Sequence, residues 1–398
     1  MSERRAAGSI RLLVVDDNPH LAWHGRVHPL NATFHRFLAA VLDVPGRPIA
    51  SLVHVVPLRD AIGPPHSLPV DERIDVVGSA PFDGIGGYLR HARAINRRNA
   101  RLLEREIELA DLLWIKVPAS NGLLAARIAR RLGTPRFGWV AGSARRVAAA
   151  LPRNPIYRLG ATAVGTAYDL AGRAAAGSHR IVVGRDIVDG GGLVASLVSP
   201  DEVREPSSPW VPHRPVRLAW AGRVADGKGL RSLLRVVAAL PEAELVMLGE
   251  GPARARIEAA TRRLRVAGRI DWRGYVADRE PYLEALASAD ILIHPSPAEG
   301  FPKVVLDAMA VGLPVAAVPT GGLGELARAR LIVPIRRRTS AEPGAAAVMA
   351  LLQDPTATQA MRERAAAFAR EHTAPAEARR LVERLRAWFP DLPWDPPA

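Results

Sequence analysis

The sequence predicts an α/β protein built as two parallel-sheet, Rossmann-like domains, and three observations predict it. At 398 residues the chain is too long for one ordinary core, so two domains are expected. From Val216 onward short apolar runs alternate with helix-periodic segments, the pattern of a parallel sheet with helical crossovers. Between the halves, residues 199–215 (SPDEVREPSSPWVPHRP) are rich in Pro and Ser and carry no apolar period, which is a linker composition. The domains are accordingly set at 1–205 and 206–375. Residues 376–398 follow as a C-terminal helix with Leu381, Leu385, Trp388 and Phe389 on one face.

Composition narrows the class. With 48% hydrophobic and 24% charged residues the chain reads as globular, and zero cysteines exclude disulfides, thiolate metal sites and a cysteine nucleophile. The opening MSERRAAGSIRLLVVDD has too short an apolar run for a signal peptide, and no later run has the length of a membrane span. A cytoplasmic protein is expected. The net charge of +14 comes mostly from Arg and reads first as a composition bias. A sharper reading is attraction to an anionic membrane or a phosphorylated acceptor. Nucleic acid is disfavoured, because no recognition module or basic-aromatic interleaving is present.

In chain order, residues 10–15 are a buried strand. Residues 16–33 (DDNPHLAWHGRVHPLNAT) read as a loop. His20, His24 and His28 are spaced by four, but Pro19, Gly25 and Pro29 oppose a helix, and no carboxylate pattern completes a zinc set. Gly25 permits close backbone approach to a diphosphate or acceptor, and His24 or His28 is placed to bond a sugar. A purely structural loop is the competing reading. Strands are expected at 49–56 and 75–77, and a turn at Gly84, Gly86 and Gly87. Residues 88–110 form a helix with Ile95, Leu102, Leu103, Ile107 and Leu109 on one side. Arg90, Arg93, Arg97, Arg101 and Arg105 run along the other, either a solvated face or a surface for anionic headgroups. A strand at 112–117, a helix at 122–132 ended by Gly133, and strands at 137–140 and 181–183 complete this half.

The second half reads strand 216–221, loop 222–229, helix 230–240, strand 244–248, helix to 266, strand 269–273 and helix to 289. Next comes the stretch on which the functional reading rests: an apolar strand ending at Pro295, a polar loop to Gly300, and helical spacing from 301 to 311. Pro302 suits a first helical position, and the amides of Lys303, Val304 and Val305 form a receptor for phosphate. Glu299 and Asp307 stand eight residues apart, about two turns if the helix begins early. A strand at 314–318 opens into Gly321-Gly322. Helices at 341–352 and 355–371 follow.

The run E-G-F-P-K-V-V-L-D-A-M-A-V-G-L-P-V, from Glu299, resembles the signature of the retaining glycosyltransferases of family 4. The resemblance is specific over residues 217–333 and faint over the first 200. It implies the GT-B fold, two Rossmann-like domains facing a cleft, with a last helix that crosses back to the first domain. Gly222-Arg223-x4-Lys228-Gly229 matches the family's Gly-Arg-x4-Lys-Gly, which implies that Arg223 and Lys228 bind the donor diphosphate without a metal. Glu299 matches the family glutamate that contacts the transferred sugar. Asp307 falls where a second glutamate binds ribose, one methylene shorter. The resemblance further implies that Gly222, Gly249, Gly251, Tyr275, Gly300, Phe301 and Pro302, with the 303–305 amides, shape the donor pocket. Gly321, Gly322 and Glu325 resemble GG-x-x-E, followed by a shortened loop. Lys116 and Pro118 stand where relatives carry a His, so the first-domain catalytic contact does not carry over.

The resulting expectation is a retaining, metal-independent hexosyltransferase of cell-surface polysaccharide or glycolipid assembly. It would use a nucleoside-diphosphate sugar as co-substrate and no cofactor. Its acceptor would be glycan, lipid-linked or small, and peripheral membrane contact is part of the reading. The alternatives are a natural-product glycosyltransferase, a nucleotide-sugar epimerase and an inactive nucleotide-binding subunit. A Rossmann dehydrogenase is disfavoured because no GxGxxG follows the first strand.

Overall fold

The computed structural model describes residues 10–30, 33–149, 154–336 and 342–394. It divides into two units: Met1–Arg145 with Ala163–Val183 and Ala374–Ala398, and Arg146–Thr162 with Gly184–Thr373. Residues 184–205, assigned to the first domain from composition, therefore lie with the second unit.

The first unit is built on β1 (Ile10–Val15), β2 (His20–Trp23), β3 (Arg26–Pro29), β4 (Ile49–Asp60), β5 (Ile74–Ser79), β6 (Leu112–Val117), β7 (Arg136–Val140) and β8 (Arg180–Val182). Their order is β3-β2-β4-β1-β6-β7-β8, with β5 also on β4. All pairs are parallel except β2–β3. The continuous apolar runs of β1 and β6 are buried because both faces are covered. On one face Leu13, Val15 and Ile115 pack with Leu103, Ile107 and Ala125 from the helices α2 (Gly84–Leu109) and α3 (Ser120–Leu132). The aromatic residues Trp114, Trp139 and Phe37 cluster with ring centres 5.1–6.4 Å apart, Phe37 coming from α1 (Thr33–Leu42). The last helix, Ala374–Trp388, packs on α1.

Three expectations are corrected here. The stretch 16–33 is not an irregular loop: β2 and β3 form a hairpin whose turn residues, His24 and Gly25, both have positive φ (46° and 74°). Two consecutive left-handed residues make the tight turn that matches strand twist, and a four-residue strand is too short to show alternation. Gly86 and Gly87 lie inside the first turns of α2 rather than in a loop. The helices α4 (Ala144–Ala149) and α5 (Pro155–Ala176) have no counterpart in the sequence reading. The buried face of α5 is Gly165, Tyr168, Gly172 and Ala176, so the side that packs carries almost no apolar signal. A Cβ at Gly165 would stand 2.8 Å from the backbone of Ala144.

The second unit alternates as expected: β9 (Val216–Ala221), α6 (Leu230–Ala239), β10 (Ala243–Leu248), α7 (Arg254–Arg263), β11 (Ile270–Gly274), α8 (Arg279–Ala287), β12 (Ile291–His294), α9 (Lys303–Ala310), β13 (Val315–Ala317), α10 (Leu323–Arg328), β14 (Val333–Pro334), α11 (Pro343–Gln353) and α12 (Pro355–Glu371). The sheet runs β11-β10-β9-β12-β13-β14 and is parallel throughout, the doubly wound dinucleotide order. Residue 341, taken as the start of a helix, lies outside the described residues. The Pro- and Ser-rich stretch is attached to this unit: Trp210 is buried in its core, and the Arg204 amide donates to the Ala310 carbonyl at 2.8 Å.

Candidate active site

In the second sheet the strand order reverses between β9 and β12, the position at which ligands bind in open parallel sheets. The loop after β9 carries Gly222, Arg223 and Lys228, and the loop after β12 carries Ser296 and Glu299. They are held together by close backbone contact. Gly229 has φ 70°, and a Cβ there would lie 2.3 Å from the Pro295 carbonyl oxygen. Only glycine fits at that crossing.

Lys228 Nζ donates to Glu299 Oε1 at 2.5 Å, and Ser296 Oγ donates to the same oxygen at 3.0 Å. His294, the last residue of β12, places Nε2 3.9 Å away. Burial opposes the charge on Glu299, but Lys228, His294 and Ser296 together hold its carboxyl below the usual range. Burial pushes His294 down to about 4, opposed by Glu299 and assisted by Lys228, so its imidazole is neutral. Arg223 is exposed on the same loop and carries no ion pair among the described residues. Lys228 and the ionised Glu299 thus meet at the C-terminal ends of two adjacent central strands, with Arg223 exposed on the Lys228 loop. His294 and Ser296 were not singled out from sequence; a polar residue closing an apolar strand was the only available signal.

Other expected donor residues are placed differently. The helix α9 begins at Lys303 with Pro302 as its cap, one residue later than expected, so Glu299 lies in the loop and not two helical turns before Asp307. Asp307 is 3% exposed. It faces α8, where Arg279 Nη2 stands 2.8 Å from its Oδ1 and the Tyr282 hydroxyl donates to Oδ2 at 3.2 Å. Burial raises the Asp307 carboxyl, and Arg279 opposes the rise. Arg279 is itself bound by Glu202, at 2.9 and 2.8 Å. Asp307 is therefore engaged within the protein and not presented at the loop side. The Val305 amide likewise donates to the Pro302 carbonyl at 3.1 Å, and Val304 and Val305 are buried.

Gly249 and Gly251 serve backbone packing: Cβ atoms there would meet Gly222 O at 1.9 Å and Val224 O at 2.5 Å. They bring the loop after β10 against the Arg223 loop. Tyr275, 44% exposed, follows β11. Gly300 and Phe301 are wedged beside Gly184, Gly321 and Gly322. Glu325 accepts the amides of Asp186 and Ile187 at 2.9 Å each, so the GG-x-x-E segment anchors the 184–187 turn.

In the first unit His24 is exposed at the hairpin turn, its ring 4.5 Å from that of Trp23, with Gly25 beside it. His28 is buried, its Nδ1 2.7 Å from the Ser67 carbonyl oxygen, which makes it an anchor and not an open ligand. Lys116 Nζ lies 2.6 Å from Asp16 Oδ2. Burial would raise Asp16, but Lys116 brings it down to about 2. Asp17 accepts amides from Ser120 and Asn121 at the start of α3, and burial pushes it up to about 6.

Residues 215–354 match the family model described as glycosyl transferases group 1. The second half of the chain carries a glycosyltransferase group 1 domain. Among curated proteins, the chain is similar to a GDP-mannose-dependent alpha-(1-6)-phosphatidylinositol dimannoside mannosyltransferase of Mycobacterium tuberculosis, 34% identical over 29% of this chain and 31% of that one. It is also similar to the lipopolysaccharide core biosynthesis glycosyltransferase LpsE of Rhizobium meliloti, 33% identical over 25% of this chain and 29% of that one. The match therefore spans about a third of the length of these relatives. Among solved structures, sucrose-phosphate synthase from Thermosynechococcus elongatus superposes with a TM-score of 0.69 at 15% identity, covering 96% of this chain and 100% of that one. That likeness is one of fold, and the fold is GT-B. The matched region contains Arg223, Lys228, His294, Ser296 and Glu299.

Proposed function

We propose that this chain is a retaining family 4 glycosyltransferase that moves a hexose from a nucleoside-diphosphate sugar to an acceptor of the glycolipid or cell-surface polysaccharide class. The observation that carries the proposal is the Lys228–Glu299 pair at the sheet's switch point. As the bond from anomeric carbon to phosphate oxygen breaks, negative charge grows on the leaving diphosphate. Arg223 and Lys228 are the cations beside that position, and fixed cations of this kind lower the barrier without a metal. Glu299, held ionised, bonds sugar hydroxyls and steadies positive charge at the anomeric carbon. The acceptor hydroxyl attacks the same face the diphosphate leaves, and its proton passes to the departing phosphate oxygen. Neutral His294 keeps a second positive charge away from the pair.

The names of the two relatives support a glycolipid or lipopolysaccharide acceptor. Among the described residues no helix is long and apolar enough to cross a membrane, and Arg90, Arg93, Arg97, Arg101 and Arg105 are all exposed along α2. This row supports peripheral contact with anionic headgroups.

The test is a transfer assay over a panel of nucleoside-diphosphate sugars and acceptors. Lys228→Ala and Glu299→Ala are each expected to lose about 10²–10³-fold in turnover with an unchanged circular dichroism spectrum. Near-normal transfer by either variant refutes the mechanism. Isomerisation of the donor without any acceptor would instead show an epimerase.

A further inference from the structure

The first unit holds three histidines with no part in the proposed transfer. His20 opens β2, His35 lies on α1 and His54 on β4, and they are 1%, 5% and 0% exposed. One ring nitrogen from each lies within 4.8 Å of the others. His20 Nδ1 sits 2.8 Å from the Asn18 carbonyl oxygen, so that nitrogen carries the proton and Nε2 presents a lone pair. This Nε2 points at His35 Nε2, 2.6 Å away. His54, fully buried beside them, has no hydrogen-bond partner at either nitrogen. A buried polar atom without a partner is destabilising, so hydrogen bonding within the cluster does not account for the arrangement.

Coordination would satisfy all three. On one ion with metal–nitrogen bonds of about 2.0–2.1 Å and tetrahedral angles, the ring centres stand roughly 5 Å apart and the donor nitrogens roughly 3.3 Å apart. The ring centres here are 4.8, 5.7 and 4.8 Å apart, and the His20 and His35 Nε2 atoms, now 2.6 Å apart, must separate by roughly 0.7 Å to share an ion. The hydrogen bond to Asn18 is the outer support that fixes the orientation of a ligating imidazole. We infer that His20, His35 and His54 form a structural zinc site. An all-imidazole set suits zinc among the borderline divalent ions. Asp16 is the carboxylate at hand, its Oδ2 4.0 Å from His54 Nε2; Lys116 donates to the same oxygen, so an ion would compete with Lys116 for it. Because the cluster is buried, the ion ties the β2–β3 hairpin and α1 to β4 rather than opening a reactive position. Of the three histidines spaced by four in the sequence, only His20 takes part.

The experiment uses the untagged full chain, stripped of metal and titrated with Co²⁺. One equivalent is expected to give the intense visible bands of a tetrahedral site, which one equivalent of Zn²⁺ then removes. Zn²⁺ is also expected to raise the thermal midpoint of the wild type, since an ion that binds only the folded state stabilises it. His54→Gln is expected to lose both responses, whereas His66→Gln, an exposed position, keeps them. No band and no zinc-dependent midpoint in the wild type overturns the inference, as does a full response in His54→Gln. Should His54→Gln fail to fold, X-ray absorption of the zinc-loaded wild type decides: three imidazole scatterers support the site, and an oxygen-only shell overturns it.

Discussion

Lys228 helps hold Glu299 ionised, and the residue behind them sets a pH dependence. His294 titrates at about 4 in the folded chain against 6.5 ordinarily, so the unfolded chain takes up the proton first. Stability therefore falls as pH drops from about 6.5 and levels off near 4, by roughly 3 kcal/mol from this group. The lowered Glu299 carboxyl acts in the same direction: its contribution is present above its ordinary range and lost as pH falls through the folded value. His294→Gln is expected to flatten the denaturant-unfolding profile between pH 6.5 and 4 relative to wild type. Parallel profiles would remove His294 from the account. Asp307→Ala makes the opposite kind of test. It leaves Arg279 held by Glu202 alone, and losing a hydrogen bond to a charged group costs about 1.5–3 kcal/mol. Chemical denaturation should show that loss, and an unchanged midpoint would mean the carboxylate is not structural. The meeting of Lys228 and Glu299 was legible because two polar strand-end loops carry them. The contact of Asp307 with Arg279 was not legible, because its geometry depends on where α9 starts and its partner lies on another helix.

At the scale of elements, the site depends on loops crossing at contact distance. Gly229→Ala combines a positive φ with a Cβ 2.3 Å from the Pro295 oxygen. Left-handed geometry alone costs about 1–2 kcal/mol, and the clash adds to it. The variant should unfold at lower denaturant and lose transfer, because the Lys228 loop must lift from β12. Wild-type stability in Gly229→Ala would show that the loops do not pack as described. Most strands of both sheets were legible as apolar runs, since strands covered on both faces need nothing else. The β2–β3 hairpin and α5 were not. The first is too short to show a period, and the second packs through Gly165, Gly172 and Ala176, residues that hydrophobic patterning overlooks.

Across the whole molecule, the order β11-β10-β9-β12-β13-β14 explains why the loops carrying residues 223, 228 and 299 leave the C-terminal ends of adjacent strands. That order was not readable from the chain, which shows alternation but not which strands adjoin. Surface charge gives a test at this scale. Replacing Arg93, Arg97 and Arg101 with Glu should abolish sedimentation with anionic vesicles while leaving transfer to a water-soluble acceptor intact. Undiminished sedimentation would make the arginine row a solvated face. The most direct measurement is a crystal structure with a nucleoside diphosphate. The account predicts the diphosphate within hydrogen-bonding distance of Lys228 Nζ and the Arg223 guanidinium, with Glu299 beside the terminal phosphate. A diphosphate bound away from the ends of β9 and β12 would contradict it.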